Sequence, residues 1–338
     1  MYSIFFIREF SRGFKKRHAT KIWRCHPFFD EIEQFLQFFS RFFGVFCELV
    51  TEPAFKILMA FLVPEMRREF GGTAGNIAYN LQLLDGKPLV MATVGDDFAS
   101  YAVRLGALGL STTHIKTIAG SFTAQAFITT DLDGNQITAF HPGAMNESHS
   151  NSVKDAKDVS LAIIAPDGRE GMFQHARECH ESGIPFLFDP SQGLPMFSGD
   201  ELMHFIEMAD YLTINDYEAQ LIEDKTGCST ASLAMKVKAL VVTLGSKGSA
   251  IYADGQRIYI QCVEAKAVID PTGCGDAYRA GLIYGITHGW DWLTTGRLSS
   301  VMAAIKIASR GGQNHKPGKA EIEALYKKTF GDSISLSG

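Results

Sequence analysis

Short apolar runs and helical stretches alternate along the chain from about residue 60 onward. Five runs of four to six residues are bounded by glycine, proline or aspartate, which is typical of buried strands. Strand, helix and strand in this repeated order predict an α/β fold, a mostly parallel sheet with helices on both faces. The predicted strands are Leu89–Val94, Leu161–Ala165, Pro185–Asp189, Tyr211–Ile214 and Leu240–Leu244, and the predicted helices are Phe98–Leu108, Met172–Glu181, Glu201–Ala209 and Tyr217–Lys225.

Two aspartate–glycine turns predict β-hairpins, because this dipeptide favours the tight turns that join antiparallel strands. The first turn lies within Asp131–Asn135, and its hairpin suits a small lid over a substrate. The second turn is Asp254-Gly255, and its hairpin suits an extension of the main sheet. The strands predicted beside the turns are Phe122–Thr130 and Gln136–Phe140 for the first, and Ser249–Ala253 and Arg257–Gln261 for the second.

The composition is that of a globular protein with a large core. The 338 residues are 46% hydrophobic and 20% charged, which suits one α/β domain with an appended lid. The net charge of −5 gives no electrostatic reason to expect nucleic acid as a partner. The six cysteines form no Cys-x-x-Cys pair and no zinc-like cluster with histidine, so we expect a reduced, cytoplasmic protein.

The first 57 residues differ in composition from the rest. Twelve of the 25 phenylalanines lie within residues 1–50, and glycine is rare there. Charged residues interrupt the apolar stretches, so we predict neither a signal peptide nor a membrane span. Phe28–Val50 has the pattern of an amphipathic helix that would dock on the domain or on a membrane surface. We therefore divide the chain into an atypical segment, residues 1–57, and a globular domain, residues 58–332.

The clearest sign of chemistry is a glycine-rich turn within Asp270–Gly285, where a β-like stretch meets the predicted helix Ala277–Ile286. Gly273 and Gly275 allow backbone amides to converge on an anion at the positive end of that helix, and phosphate is the expected ligand. Asp276 lies in the same turn, where it can take a proton from an acceptor hydroxyl. The alternative is a structural turn whose aspartate stabilises the helix dipole.

Three further motifs accompany this turn. They are Gly71-Gly72-Thr73-Ala74-Gly75-Asn76, Asn215-Asp216-Tyr217-Glu218 and Val242-Thr243-Leu244-Gly245. Together with Asp270-Pro-Thr-Gly-Cys-Gly-Asp-Ala they resemble, in the same order, the motifs of the PfkB carbohydrate kinases, also called ribokinase-like kinases. The resemblance extends from about Leu62 to about Phe330. It implies a ribokinase-like three-layer sandwich with a central, mostly parallel sheet and a small β lid formed within residues 112–145.

The resemblance also implies an enzyme, an ATP-dependent phosphotransferase that acts on an alcohol group. Asp276 would be the catalytic base for the acceptor hydroxyl. Two glycines of the first motif would be a hinge that lets the lid close and exclude water, and its asparagine would bind sugar hydroxyls. The residues assigned in this way are Gly273, Cys274 and Gly275 for the anion hole, Gly71 and Gly72 for the hinge, and Asn76 for the hydroxyls.

The nucleotide and its ions are assigned by the same resemblance. Asn215 and Glu218 would organise Mg²⁺ and phosphate, largely through water, although Asn-x-x-Glu is also a common capping pair at a helix start. Asp270 and Thr272 match positions that bind a monovalent cation in some relatives, which adds potassium as a second ion. The adenine and ribose side of ATP is assigned to Thr243, Gly245, Gly312 and Gln313.

Several segments look like bacterial nucleoside kinases related to adenosine kinase. A base needs an apolar, often aromatic clamp, which Phe127 and Phe140 on the lid hairpin would supply with Gln125 as a polar contact; packing within the lid is the alternative. We expect phosphorylation of the 5′-hydroxyl of a purine nucleoside such as adenosine or inosine, and a sugar kinase for ribose or fructose compounds is the alternative. The similar segments are Phe122–Phe127, Thr129–Ala144 and Phe188–Pro195.

The N-terminus departs from the family pattern. Family members usually begin with a strand carrying Gly-x-x-x-Asp, whose aspartate binds substrate hydroxyls, and no such strand is recognisable within residues 1–57. We hypothesise that a reading-frame disruption, an incorrect start or a genuine replacement produced this segment. A non-catalytic nucleotide-binding protein is therefore a second alternative to an active kinase. Lids of this family often pair, so the resemblance also predicts a homodimer.

Overall fold

The structure is a computed structural model of the chain, and it falls into two compact units. It describes residues 65–130 and 136–336, together with the backbone of three short strands nearer the N-terminus. The first unit contains residues 69–125 and 141–336, and the second contains residues 65–68, 126–130 and 136–140.

Two sequence predictions fall largely outside the described residues. The turn Asp131–Asn135 is one of them, and most of the helix predicted over Phe28–Val50 is the other. Within that second range the structure describes Glu48–Leu49, which form a short strand rather than part of a helix. They pair antiparallel with Ile57–Leu58, so contacts between strands, not helical spacing, set the backbone of these two residues.

The strands and helices predicted from the sequence after residue 85 are present, with ends shifted by a few residues. The strands are β1 (Ser3–Arg8), β2 (Glu48–Leu49), β3 (Ile57–Leu58), β4 (Glu65–Phe70), β5 (Met91–Val94), β6 (His114–Thr117), β7 (Gln125–Thr130), β8 (Gln136–His141), β9 (Ala162–Ile164), β10 (Phe186–Phe188), β11 (Tyr211–Asn215), β12 (Ala239–Thr243), β13 (Ser249–Ala253) and β14 (Gln256–Ile260). The α-helices are α1 (Thr73–Leu83), α2 (Ala99–Ala107), α3 (Arg169–Glu181), α4 (Gly199–Met208), α5 (Asp216–Thr226), α6 (Thr230–Ala234), α7 (Cys274–Thr287), α8 (Trp292–Ile307) and α9 (Lys319–Phe330).

A six-stranded sheet with the order β14-β13-β12-β11-β10-β9 forms the centre of the first unit. Its strands β9 to β12 are parallel, and β13 and β14 extend it as the predicted antiparallel hairpin. Asp254 and Gly255 at the hairpin turn have positive φ angles of 51° and 71°, which is the backbone that a tight turn of this kind requires. The carboxyl ends of β9 to β12 therefore share one edge of the sheet.

The strand β5 differs from the prediction. It does not join the six-stranded sheet but pairs in parallel with β6 as a separate two-stranded sheet. Apolar content predicted that β5 would be buried, and Ala92 and Val94 are buried as expected. Apolar content does not specify the neighbour of a strand, so the sequence did not reveal this division of the parallel strands into two sheets.

Apolar side chains on both faces of the sheet are buried beneath helices. Phe186 and Phe188 of β10 point to one cluster, in which the rings of Phe188 and Phe205 stack with centroids 4.7 Å apart. Leu187, between them in sequence, packs on the other face with Leu282 of α7. Burying each such side chain contributes about 1.5–3 kcal/mol. Helices thus cover both faces, which confirms the three-layer sandwich expected from the resemblance.

The strands predicted for the lid belong to the second unit. They form a four-stranded sheet in the order β4-β1-β7-β8, in which the hairpin strands β7 and β8 are neighbours.

Among the residues that the structure describes, no helix has both the length and the apolar character needed to cross a membrane.

Candidate active site

The glycine turn, residues 270–276, leads from the loop after β14 into α7. Gly273 precedes the helix with a φ angle of 79°, a left-handed conformation that a side chain would strain. The Cys274 amide donates to the Pro271 carbonyl and so closes the turn. The amides of Gly275 and Asp276 belong to the first helical turn, where N–H groups have no carbonyl partner within the helix. The turn therefore presents amides at the positive end of α7, as an anion site requires.

The side chain of Asp276 lies at this helix start and is held by an asparagine from α1. Asn76 Nδ2 donates to Asp276 Oδ2 over 2.8 Å, although the two residues are 200 positions apart in the sequence. Burial raises the pKa of Asp276 to about 6, while the hydrogen bond from Asn76 and the charge of Arg279 oppose the rise. A carboxylate with this pKa is ionised at neutral pH and still basic enough to accept a proton.

A pH profile of catalysis would test this environment. Because the base must be ionised to accept a proton, kcat/KM is expected to fall as the pH drops through about 6, by roughly tenfold for each further pH unit. Initial rates between pH 5 and pH 9 at saturating ATP would measure the inflection. A profile that stays flat down to pH 5 would mean that Asp276 has an ordinary carboxyl pKa or is not the base.

Asn76 is itself fixed by a hydrogen-bonded group from three segments. Gln313 Nε2 donates to Asn76 Oδ1 over 3.1 Å and also contacts Tyr101 Oη at 2.5 Å. Tyr101 Oη donates to the Gly71 carbonyl over 2.9 Å, and Arg104 donates to the Gln313 carbonyl over 2.9 Å. The described residues of this group are buried except for Arg104, so Asn76 has a single defined orientation toward Asp276.

Gly312 touches the same group. A Cβ atom added at Gly312 would lie 2.3 Å from Asn76 Oδ1. Gly312 and Gln313, assigned from the sequence to the adenine and ribose side, therefore make their contacts with Asn76 and Tyr101 near the predicted base. Sequence order alone did not indicate this position, because the contacts join residues more than 200 positions apart.

Gly312→Ala is expected to displace Asn76 and thus release Asp276. Misplacing a catalytic group by about 1 Å costs on the order of 100-fold in rate, so we expect kcat to fall by roughly 10- to 100-fold. The matched control is Gly318→Ala, because Gly318 has open space around it and an ordinary φ of −77°. Steady-state kinetics of both variants would test this, and equal activity of the two would contradict it.

A buried ion pair lies beside Asp276. Arg279, three residues later on α7, forms a two-point contact with Asp189, in which Nη2 donates to Oδ1 over 2.7 Å and Nε donates to Oδ2. Asp189 follows β10 and is 1% exposed. The pair links the carboxyl end of a central strand to the helix that carries the predicted base. Arg279 was not predicted from the sequence, although its spacing of three from Asp276 on a helix places both on one face.

Asn215 and Glu218 lie at the carboxyl end of β11, where they cap α5. The Asn215 amide donates to Glu218 Oε2 over 2.8 Å, and the Glu218 amide donates to Asn215 Oδ1 over 2.7 Å. This is the capping pair that the sequence predicts as the alternative to a magnesium site. Burial raises the pKa of Glu218, with the hydrogen bond from the Asn215 amide opposing it. Asn215 also pairs in register with Thr243, so these two residues, both predicted from the sequence to lie on the nucleotide side, are neighbours.

The remaining predicted residues have the following positions. Burial raises the pKa of the Cys274 thiol to about 11, so the thiol is neutral, and the Cys274 amide predicted for the anion hole already donates to the Pro271 carbonyl. Gln125 Nε2 donates to Asp97 over 2.7 Å, so that end of its amide already has a partner. Phe127 and Phe140 are 45% and 44% exposed in the second unit, and their role as a base clamp stays a prediction. Gly245 begins a short 3-10 turn after β12.

Known proteins are similar to this chain in sequence and fold. A model of the pfkB family of carbohydrate kinases matches residues 52–319 of the chain. The chain is similar to a nucleoside kinase of Methanocaldococcus jannaschii, with 31% identity over 258 residues that cover 75% of this chain and 84% of the relative.

Two solved structures of the nucleoside kinase of Burkholderia thailandensis are also similar to it. The complex with inosine has 53% identity and a TM-score of 0.79 over 81% of this chain and 90% of that chain. The complex with ADP-inosine has 45% identity and a TM-score of 0.80 over 99% of this chain and 95% of that chain. With a family match over most of its length and relatives of this identity, the chain belongs to the pfkB family of carbohydrate kinases.

Proposed function

We propose that this protein is a nucleoside kinase, which transfers the γ-phosphoryl group of ATP to the 5′-hydroxyl of a ribonucleoside. The observation that supports it most is the pairing of Asp276, with its pKa raised to about 6, and the amides at the start of α7. A base and an anion site beside each other are what phosphoryl transfer to a hydroxyl requires. The similarity to nucleoside kinases supports the choice of acceptor.

The reaction requires a proton acceptor and a site for negative charge. Ionised Asp276 takes the proton of the 5′-hydroxyl as the new bond forms between that oxygen and the γ-phosphorus. The bond between the γ-phosphorus and the bridging oxygen breaks, and ADP leaves with the electron pair. Amides of Gly275 and Asp276 stabilise the charge on the transferring group. Asn76 positions the base, and Gln313 positions Asn76.

Mg²⁺ would neutralise the charge of the ATP phosphates. Among the described residues, no group of three or more His, Cys, Asp and Glu side chains is arranged to hold a metal alone. Asn215 and Glu218 offer one carboxylate and one amide, and their mutual cap uses Glu218 Oε2 but leaves Oε1. A buried carboxylate with a raised pKa gains from a nearby cation, so the pair fits an ion held mainly by water and phosphate.

Three further assignments stay predictions. Thr243 and Gly245 as contacts of ATP rest on the family resemblance and on the register of β11 with β12. The hinge at Gly71 and Gly72 rests on the resemblance, although the Gly71 carbonyl is tied to Tyr101. The homodimer rests on the resemblance as well.

A panel of acceptors tests the proposed substrate class. Purified full-length chain would be given ATP and Mg²⁺ with adenosine, inosine, ribose or fructose, and ADP formation would be followed. We expect kcat/KM for at least one purine nucleoside to exceed that for either sugar by about 100-fold or more, because the sugars leave the base-binding contacts unused. Activity on the sugars alone would replace the nucleoside kinase with a sugar kinase of the same family.

A further inference from the structure

A fully buried lysine contacts the glycine turn. Lys306 lies in the last turn of α8 and is 0% exposed, in a helix whose neighbouring residues are mostly apolar. Its Nζ donates to the carbonyl oxygens of Asp270 over 2.8 Å and of Ser309 over 3.0 Å. Burying an ammonium group costs free energy that its hydrogen bonds must offset. An apolar side chain would pack at this position at a lower cost in free energy, so we expect the charge of Lys306 to have a role.

The two carbonyl groups belong to the two segments that build the candidate site. Asp270 begins the glycine turn, and Ser309 begins the segment that ends with Gly312 and Gln313. The Asp270 carboxylate joins the same two segments, because Oδ1 accepts from the Thr272 amide over 2.9 Å and Oδ2 accepts from the Gly311 amide over 2.8 Å. The Lys306 ammonium group and the Asp270 carboxylate therefore fix the position of the glycine turn relative to the segment that carries Gln313.

Backbone carbonyl oxygens beside a carboxylate are also the surroundings that bind a dehydrated monovalent cation. The Asp270 carbonyl is bonded to the ammonium, and Asp270 is one of the two residues predicted from the sequence to hold potassium. A free cation at the same oxygens would repel the ammonium in a site of low dielectric constant.

We infer that Lys306 is a positioning residue, whose tethered ammonium group takes the place of a free monovalent cation beneath the glycine turn. The inference rests on the proposed function, because it assigns the lysine to the same phosphoryl-transfer site. The charge also acts at the base, since Lys306 is among the groups that oppose the rise in the pKa of Asp276. Burial lowers the pKa of Lys306, and Cys274, Asp270 and Asp276 counteract that effect.

The first experiment needs no variant. Turnover of inosine by the full-length chain would be compared in potassium, sodium and N-methyl-glucamine chloride at equal ionic strength. Because the cation is already part of the chain, we expect kcat to agree within about twofold among the three salts. A potassium requirement of fivefold or more would overturn the inference, whatever the variants do.

The second experiment removes the charge in two ways. Lys306→Ala removes the ammonium and leaves space, and Lys306→Met removes it but fills the space. We expect both to lower kcat by about 100-fold, because the glycine turn and the segment that contains Gly312 lose their fixed relative position. Ammonium or potassium chloride is expected to restore about tenfold or more to the alanine variant alone, since only that variant can admit an ion. Lys328→Ala, at an exposed position of α9, is the control and should show no cation effect.

Thermal stability gives a readout that does not depend on the substrate. Ammonium or potassium should raise the Tm of Lys306→Ala relative to N-methyl-glucamine and leave the Tm of Lys306→Met unchanged, because a bound ion stabilises the folded state. If the panel of acceptors shows no kinase activity, this cation-specific shift still tests the tethered cation separately. A folded alanine variant that gains neither activity nor stability from small cations would overturn the inference.

Discussion

Asp276→Asn is expected to lower kcat by roughly 100- to 10,000-fold, the share of catalysis that a general base supplies. Asparagine has nearly the same size and can accept the hydrogen bond from Asn76, but it cannot take a proton. Binding is expected to change little, because the substitution leaves the amides of the glycine turn in place. The measurement is kcat at pH 8 from ADP release, together with the Kd of ATP and of inosine from calorimetry.

Stability distinguishes this result from damage to the fold. The pKa of Asp276 in the folded chain, about 6, is above its ordinary value of 3.8, so the folded state loses stability as the pH rises from 3.8 to about 6 and stays less stable at pH 8. Asparagine does not ionise, and we expect the Tm of the variant at pH 8 to rise rather than fall. Asp200→Asn, at an exposed first-turn aspartate of α4, is the control and should retain wild-type turnover. Undiminished turnover by Asp276→Asn would mean that another group is the base.

Asp189→Leu is expected to lower the free energy of unfolding by about 3–5 kcal/mol, because it leaves the buried guanidinium of Arg279 without its partner. The double variant Asp189→Leu/Arg279→Met removes both charges and is expected to recover most of that loss. Urea denaturation at pH 7.5, followed by circular dichroism, would measure all three proteins.

An exposed ion pair provides the control for this cycle. Lys238 and Asp210 are 2.7 Å apart, but the lysine side chain is 66% exposed. Lys238→Ala should therefore cost less than about 1 kcal/mol. If the double variant were as unstable as Asp189→Leu alone, the loss would come from packing around β10 and not from the unpaired charge. Recovery of stability without recovery of turnover would show that the ion pair of Asp189 and Arg279 also supports the reaction.

The sequence predicted the local structure of the first unit well, because local patterns determine it. The short apolar runs bounded by glycine, proline or aspartate form β9 to β12, and Asp254-Gly255 forms the turn of the last hairpin. The turn that carries Asp276 was predictable because it is contiguous in the sequence, and the role of Asp276 as the base stays a prediction. The helix cap formed by Asn215 and Glu218 was predictable for the same reason, because the two residues are three positions apart in the sequence.

Contacts between distant segments were not predictable from one sequence. Nothing local to Gln313 indicates that it orients Asn76, and nothing local to Tyr101 indicates that it joins them. In the sequence, Lys306 stands out only as a charge within an apolar helical stretch, and the fold is needed to show the carbonyl groups that accept its hydrogen bonds. The pairing of β5 with β6 depends on which strands are available as neighbours. The origin of residues 1–57 stays a hypothesis, because most of them lie outside the described part of the chain.

We expect this chain, with its unusual N-terminal segment, to transfer phosphate to a nucleoside. The most direct test is a single turnover of excess full-length chain with ATP, Mg²⁺ and inosine, with the products identified by phosphorus NMR. We predict a new signal from a phosphomonoester on the 5′-oxygen together with the signals of ADP, and neither product with 5′-deoxyinosine. Binding of ATP without transfer to inosine or to any other acceptor would contradict it and would identify a non-catalytic nucleotide-binding protein.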